Sequence, residues 1–257
     1  MPGRLDMKLE NHVVLVTGGG SGIGLALARG LLERRSTVVV SGRNGAKLAE
    51  VKRSNPGLHT IESDVTDFEQ SKSTINAIVK QFGRLSILIN NAGIMLAWDV
   101  LRENDTEHLA AVDREVMTNY VAPIKLTMLA LPVLLQQPAA AVINIASGLA
   151  YAPIGRYPVY CGTKAALHSF SKSLRHQLER TPVRVFDVLP PRTSTDLNSE
   201  MKKAKTSAER VAQETLRGVS KDQYEIPIGE SKTLHMMERI APAFIERRLL
   251  GLGEPTA

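Results

Sequence analysis

The chain has a single cysteine, Cys161, among 257 residues. An internal disulfide and any cysteine-rich metal site are therefore excluded, and nothing argues for an oxidising compartment. Aromatic residues are scarce, at 4%, which disfavours a sandwich of aromatic-rich strands and a nucleic-acid surface built on base stacking. Apolar runs are short. Val142–Ala146 is typical, and a membrane helix needs roughly 20 such residues. Met1–Glu10 carries charges with no apolar leader behind it, so a cytoplasmic protein is expected. None of the histidines joins another at metal-ligand spacing. His168 and His176, in one expected helix, read as packing or solvent contacts. The formal charge of +6 is spread along the chain, with no basic arm. That pattern argues against nucleic-acid and membrane partners and leaves some positive potential for an anionic ligand.

What is present is an alternation of strand-like and helix-like segments. Strands are expected at Val13–Val16, Val38–Val40, Leu58–Glu62, Ile87–Asn90, Val142–Ala146 and Val183–Leu189, with a last edge strand at Tyr224–Ile228. Helical periodicity covers Ile23–Arg34, Phe68–Phe82, Glu107–Gln136 and Pro158–Glu179, each long enough to cross back over a sheet. Asp67 reads as the cap of one of them. Polar residues 191–206 read as a mobile loop, Thr206 and Glu209 as a capping box, and Ser231–Leu250 as a helical tail. No repeat or Gly/Ser linker divides residues 1–257, which indicates one doubly wound α/β domain.

Two local patterns carry chemistry. Thr17-Gly18-Gly19-Gly20-Ser21-Gly22-Ile23-Gly24 lies between an expected strand and helix, where backbone N–H groups and the helix dipole receive a dinucleotide pyrophosphate. Its glycine spacing departs from G-x-G-x-x-G. Tyr160 and Lys164 stand four apart on an expected helix, so the ammonium is expected to lower the pKa of the phenol for acid–base work. Tyr151 and Tyr157 have Gly155 and Cys161 at the matching position and gain no such partner. Cys161 itself reads as a small packed side chain.

These patterns, in order, resemble the short-chain dehydrogenase/reductase family. The cofactor turn T-G-x-x-x-G-I-G falls at Thr17–Gly24, the adenine pair at Asp64-Val65, and N-N-A-G at Asn90-Asn91-Ala92-Gly93. Asn119, Ser147 and Tyr160-x-x-x-Lys164 complete the set. The Met7-Lys8-Leu9 opening and Arg239-Ile240-Ala241-Pro242 are similar to the DltE-type oxidoreductases. The resemblance implies a Rossmann-type parallel sheet of seven strands in the order 3-2-1-4-5-6-7 and a homodimer or homotetramer. It also implies hydride transfer between nicotinamide and a small-molecule carbonyl or alcohol.

On that resemblance Gly18, Ser21, Ile23, Gly24, Asn91, Ala92 and Gly93 contact the cofactor, as do Asp64, Val65, Thr193 and Thr195. Lys164 holds the nicotinamide ribose, Ser147 polarises the substrate carbonyl, and Asn119 organises a water-linked proton path. Ser41-Gly42-Arg43-Asn44 has no carboxylate for ribose hydroxyls. Arg43, aided by Ser41 and Asn44, suits a 2′-phosphate, which favours NADP(H) over NAD(H). A second basic residue within the glycine turn is absent. Leu149, Tyr151, Ile154, Tyr157 and the loop after Pro190 are expected to border the substrate cleft. A cofactor-binding regulator, or a dehydratase or epimerase using the same site, is the alternative.

Overall fold

The computed structural model describes residues 7–98, 106–194 and 206–250. Strand and helix alternate as β1 (Val13–Thr17), α1 (Gly22–Leu32), β2 (Thr37–Gly42), α2 (Gly45–Ser54), β3 (His59–Glu62), α3 (Phe68–Phe82) and β4 (Ile87–Asn90). There follow α4 (Thr106–Val116), α5 (Ala122–Leu134), β5 (Ala140–Ile145), α6 (Pro158–Gln177), β6 (Val183–Leu189), α7 (Ala208–Ser220), β7 (Glu225–Pro227), α8 (Glu230–Ile240) and α9 (Pro242–Leu250). The seven strands pair in parallel as β3-β2-β1-β4-β5-β6-β7.

Branched aliphatic residues line both faces of the central strands, as a parallel sheet covered on two sides requires. Period-two alternation sorts them into two cores. Val14, Val16, Val38 and Val40 pack with Leu27 and Leu31 of α1 and Leu216 of α7. Val13, Leu15, Val39 and Leu88 face α3, α5 and α6 through Ile78, Leu126 and Leu174. The strand order reverses beside β1, whose neighbours are β2 and β4. That reversal opens a crevice at the carboxyl ends of the strands.

Three expectations change on contact with the structure. The long helix expected at Glu107–Gln136 contains a π turn at Met117–Val121, just ahead of Pro123, which has no N–H to give the carbonyl four residues back. The capping residue of α7 is Ser207, which accepts from Arg210 N, and not Thr206. Thr206 instead bridges Thr193 in parallel. The tail divides at Ala241, because Pro242 cannot continue α8. Asp67 caps α3 as read, accepting from Gln70 N at 3.0 Å.

By length and composition, Thr106–Leu134 alone among the described helices would pass for a membrane span. In the fold it packs against α3, α6, β4 and β5 and buries the polar side chains of Glu115 and Asn119.

Polar side chains cross the core beneath the strand ends. Asn90 donates to Asn144 at 2.8 Å and to Thr127 at 3.1 Å, and Asn144 donates to Ser171 of α6 at 2.9 Å. His168, read from sequence as a packing or solvent contact, instead pairs through Nδ1 with Oδ2 of the fully buried Asp187. Tyr151 lies edge-on against His168 at 5.4 Å and tilted over His235 of α8 at 4.5 Å. Burial pushes the Asp187 carboxyl up, and its bond to His168 opposes that. Removing one partner of a buried pair strands the other. His168→Leu should therefore lower stability by about 3–5 kcal/mol, while the double variant with Asp187→Leu recovers part of that loss. Urea unfolding of the three proteins tests this, and additive losses would contradict it.

Candidate active site

The turn between β1 and α1 is pressed against the segment that leaves β4. Thr17 Oγ1 accepts from Asn91 N at 3.0 Å and Ala92 N at 3.1 Å, and Asn91 Nδ2 donates to Thr17 O at 2.9 Å and Gly18 O at 3.1 Å. This approach requires glycine at two points. A Cβ on Gly18, where φ is +62°, would lie 2.9 Å from Ala92 Cα, and one on Gly24 would lie 2.5 Å from Asn91 Nδ2. Ser21 caps α1 by position, but its side chain makes no cap hydrogen bond with the described residues. The N–H groups of the first turn therefore face outward at the positive end of the helix.

Lys47 of α2 runs alongside, with Cγ 3.8 Å from the Cβ position of Gly20. Its Cδ follows at 3.9 Å, so the aliphatic stem of a basic side chain packs along the turn. Arg43, with its side chain 64% exposed, stands at the end of β2 with Nη1 4.0 Å from Asp64 Oδ2. Asn44 is committed to capping α2, accepting from Lys47 N at 2.9 Å. Asp64 Oδ1 accepts from Thr66 N and Oγ1 at 2.9 and 2.8 Å.

Pro158 opens α6 at a position where its missing N–H costs nothing, and one face of that helix carries Tyr160, Lys164 and His168. Tyr160 and Lys164 are buried, at 7% and 4% exposure. Lys164 Nζ donates to Ile145 O at 2.8 Å and lies 5.6 Å from the Tyr160 ring centre. Ser147 follows β5, accepts from Leu149 N at 3.1 Å and lines the same cavity as Tyr160.

The expectation that Lys164 lowers the Tyr160 pKa does not hold here. Burial raises it above the ordinary value, and Ser147 supplies the opposing effect. The ammonium is itself desolvated and spends its short bond on Ile145, so the phenolate gains less than surface spacing suggests.

Asn119 sits in the π turn, a device frequent at functional sites. Its amide clasps one residue from both sides: Oδ1 accepts from Ile94 N at 2.9 Å and Nδ2 donates to Ile94 O at 2.8 Å. Gly93 lies between, its Cβ position 3.2 Å from Asn119 Oδ1 and 3.6 Å from Lys164 Nζ. Glu115, fully buried and unmarked in the sequence, accepts from Leu96 N at 3.1 Å and Trp98 Nε1 at 3.4 Å. Burial holds its carboxyl above the usual range. Together Asn119 and Glu115 hold the segment after β4 in place.

A cavity of about 240 Å³ gathers Gly18, Ser21 and Ile23 from the first turn and Asn91, Ala92 and Gly93 from the second. It also takes in Ser147, Tyr160, Lys164 and Thr193. A second cavity, of about 540 Å³, shares Ser147, Tyr160, Pro190 and Pro191 with the first and is walled by Leu149, Ile154 and α8 and α9. Gly24 and Asn119 lie behind the first cavity's lining. Ser41, Arg43, Asn44, Asp64 and Val65 lie outside it, at the ends of β2 and β3. Thr195 and most of the expected loop fall outside the described residues. Tyr151 and Tyr157 do not line the second cavity. Tyr151 turns toward His168 and His235, and Tyr157 is buried beside Cys161.

Burial holds Lys164 down from its ordinary 10.5 to about 8, with Asp187 and then Glu115 opposing. Between those values the unfolded chain keeps a proton that the folded chain has released, so this residue's contribution to stability rises with pH across the window. Lys164→Met should flatten that rise by on the order of 3 kcal/mol. Urea midpoints taken through the window for both proteins check it, and parallel curves would contradict it.

The family model for short chain dehydrogenase matches residues 12–206. An uncharacterized oxidoreductase of Bacillus subtilis (strain 168), DltE, is 43% identical over 218 residues, covering 85% of this chain and 83% of that protein. An uncharacterized oxidoreductase of Staphylococcus aureus (strain USA300) is 33% identical over 193 residues, covering 74% and 82%. Among solved structures, a short chain dehydrogenase from Burkholderia cenocepacia J2315 in complex with NADP superposes with a TM-score of 0.84 at 26% identity, covering 95% of this chain and 99% of that one. One from Burkholderia phymatum in complex with NAD gives 0.82 at 19% identity, covering 98% and 99%. Matched motifs, strand order and superposition agree, and the chain belongs to the short-chain dehydrogenase/reductase family as an oxidoreductase of the DltE type.

Proposed function

We propose that the protein is an NADP(H)-dependent oxidoreductase that interconverts a carbonyl compound and its alcohol, with Tyr160 as general acid and base. The observation that carries this reading is the meeting of two cavities at Ser147 and Tyr160, one floored by glycines and one walled by apolar side chains. The first suits a dinucleotide. The α1 N-terminus faces it without a side-chain cap among the described residues, and the bare face of Gly93 keeps the space beside Lys164 open.

A bound nicotinamide supplies or accepts the hydride. Tyr160 gives its proton to the substrate oxygen in reduction and takes it back in oxidation. Ser147, which lines both cavities with Tyr160, holds that oxygen in line. Lys164 keeps a positive charge beside the ribose position, and Asn119 fixes the Ile94 peptide that borders it. In the free protein Tyr160 is protonated at neutral pH, which is the form that donates.

Arg43 at the end of β2, with Lys47 against the glycine turn, supports NADP(H) over NAD(H). The NADP-bound and NAD-bound relatives support nicotinamide use in general. We further propose a cytoplasmic homodimer or homotetramer, for which exposed Leu109 and Met128 on α4 and α5 offer an apolar face.

Tyr160→Phe should lower turnover by about a hundredfold or more while leaving NADPH binding nearly unchanged. Steady-state kinetics beside fluorescence titration with NADPH checks this, and retained turnover would remove Tyr160 from the chemistry. Arg43→Asp should weaken NADPH by about tenfold or more with little effect on NADH. Equal losses in dissociation constant for both nucleotides would count against Arg43 as the phosphate reader.

A further inference from the structure

Resting on the reductase reading, we infer that the second cavity takes a carbonyl compound whose apolar chain ends in an anionic group, a carboxylate or a phosphate ester. The walls are apolar: Met95, Leu149 and Ile154 on one side, Leu234, Met237 and Leu249 on the other. Ser147 and Tyr160 lie at the end shared with the glycine-floored cavity. Two arginines join this lining from unrelated parts of the chain, Arg192 from the exit of β6 and Arg248 from α9.

Neither arginine has an ion-pair or hydrogen-bond partner among the described residues. Glu230, the acidic residue of the same lining, is already engaged in an interaction of its own. Arg192 lines the apolar cavity and not the glycine-floored one, so the cofactor phosphates are not its ligand. Both arginines are exposed, at the rim of the apolar space, and a guanidinium fork there suits a carboxylate or phosphate oxygen pair.

The placement of Arg248 is tied to the rest of the cavity by two close approaches. A Cβ on Gly148 would lie 2.2 Å from Ser231 Oγ of α8, and one on Gly155 would lie 2.7 Å from Leu250 O of α9. Both C-terminal helices are thus seated directly on the segment that follows β5. The cavity volume of about 540 Å³ falls within the range for sites that enclose most of a small ligand. A neutral apolar substrate would fill the walls and leave both charges unused. An anionic head at the arginines, an apolar chain along the walls and a carbonyl at Tyr160 use the basic, the apolar and the hydroxyl parts of the lining together.

The test compares NADPH-linked reduction of a medium-chain oxo acid, its methyl ester and the matching oxo-alkyl phosphate, in the wild type and in the double variant R192Q/R248Q. The expected result is a kcat/KM for an anionic substrate about tenfold or more above the ester, expressed mainly in KM. The double variant should bring the substrates near parity by losing the preference for the anions. A larger preference for the phosphate would assign the head as phosphate, and for the acid as carboxylate. Equal kcat/KM for ester and anions, or a preference that survives the double variant, overturns the anion assignment while leaving the reductase reading intact.

Failure of all three substrates with NADPH bound overturns the reductase reading instead. The cavity is then judged by calorimetric binding of decanoate against methyl decanoate. Preference for decanoate that the double variant loses supports the assignment, and equal binding overturns it.

Discussion

Lys164 carries an ammonium at 4% exposure with a single short hydrogen bond to Ile145 O among the described residues. A charge in that position is costly unless the surrounding structure offsets its lost hydration. The compensating groups come from elements far apart in the chain: a carbonyl at the end of β5, Asp187 in β6 and Glu115 in α4. Only the parallel order of the sheet brings them to one side of α6. The polar line from Asn90 through Asn144 to Ser171 then fixes the height of α6 against the sheet, and with it the position of Tyr160 one turn before the lysine.

The same carboxylates serve other parts of the site. Glu115 fastens the Leu96 and Trp98 backbone and ring, and Asn119 fastens Ile94. The wall of the glycine-floored cavity is therefore held by α4 and the π turn. Asp187 pairs with His168, against which Tyr151 lies, and Tyr151 in turn touches His235 of α8. The electrostatic support of Lys164 is continuous with the packing that seats a C-terminal helix.

Much of this was legible from residues alone where a local pattern had one physical solution. Phe68–Phe82, Ile87–Asn90 and Val183–Leu189 are found at their expected bounds, because apolar period and capping agree there. β5 begins earlier than expected, at Ala140. Alanines carry weak strand preference, and burial between β4 and β6 decides the matter. The interruption at Met117–Val121 had a visible cause in Pro123, but the choice of a π turn over a kink depends on packing. Of the motif residues, Ser147, Tyr160 and Lys164 line one cavity, and Asn119 lies outside its lining.

Lys47, Glu115 and the His168–Asp187 pair left little trace. A charged residue on an amphipathic helix looks solvated until its neighbours are known. Asp187 shares the strand Val183–Leu189 with a second charged residue, Arg184, and only the fold shows that the carboxylate is fully buried against His168.

The family pattern spans residues 12–206, yet a large share of the second cavity comes from residues 230–249. The two cavities thus draw on different stretches: the strand ends supply Ser147, Tyr160 and Lys164, and α8 and α9, beyond the family pattern, supply a wall of the second. Changes confined to α8 and α9 would reshape that wall without touching the motif residues, so relatives with matching motifs need not share a substrate.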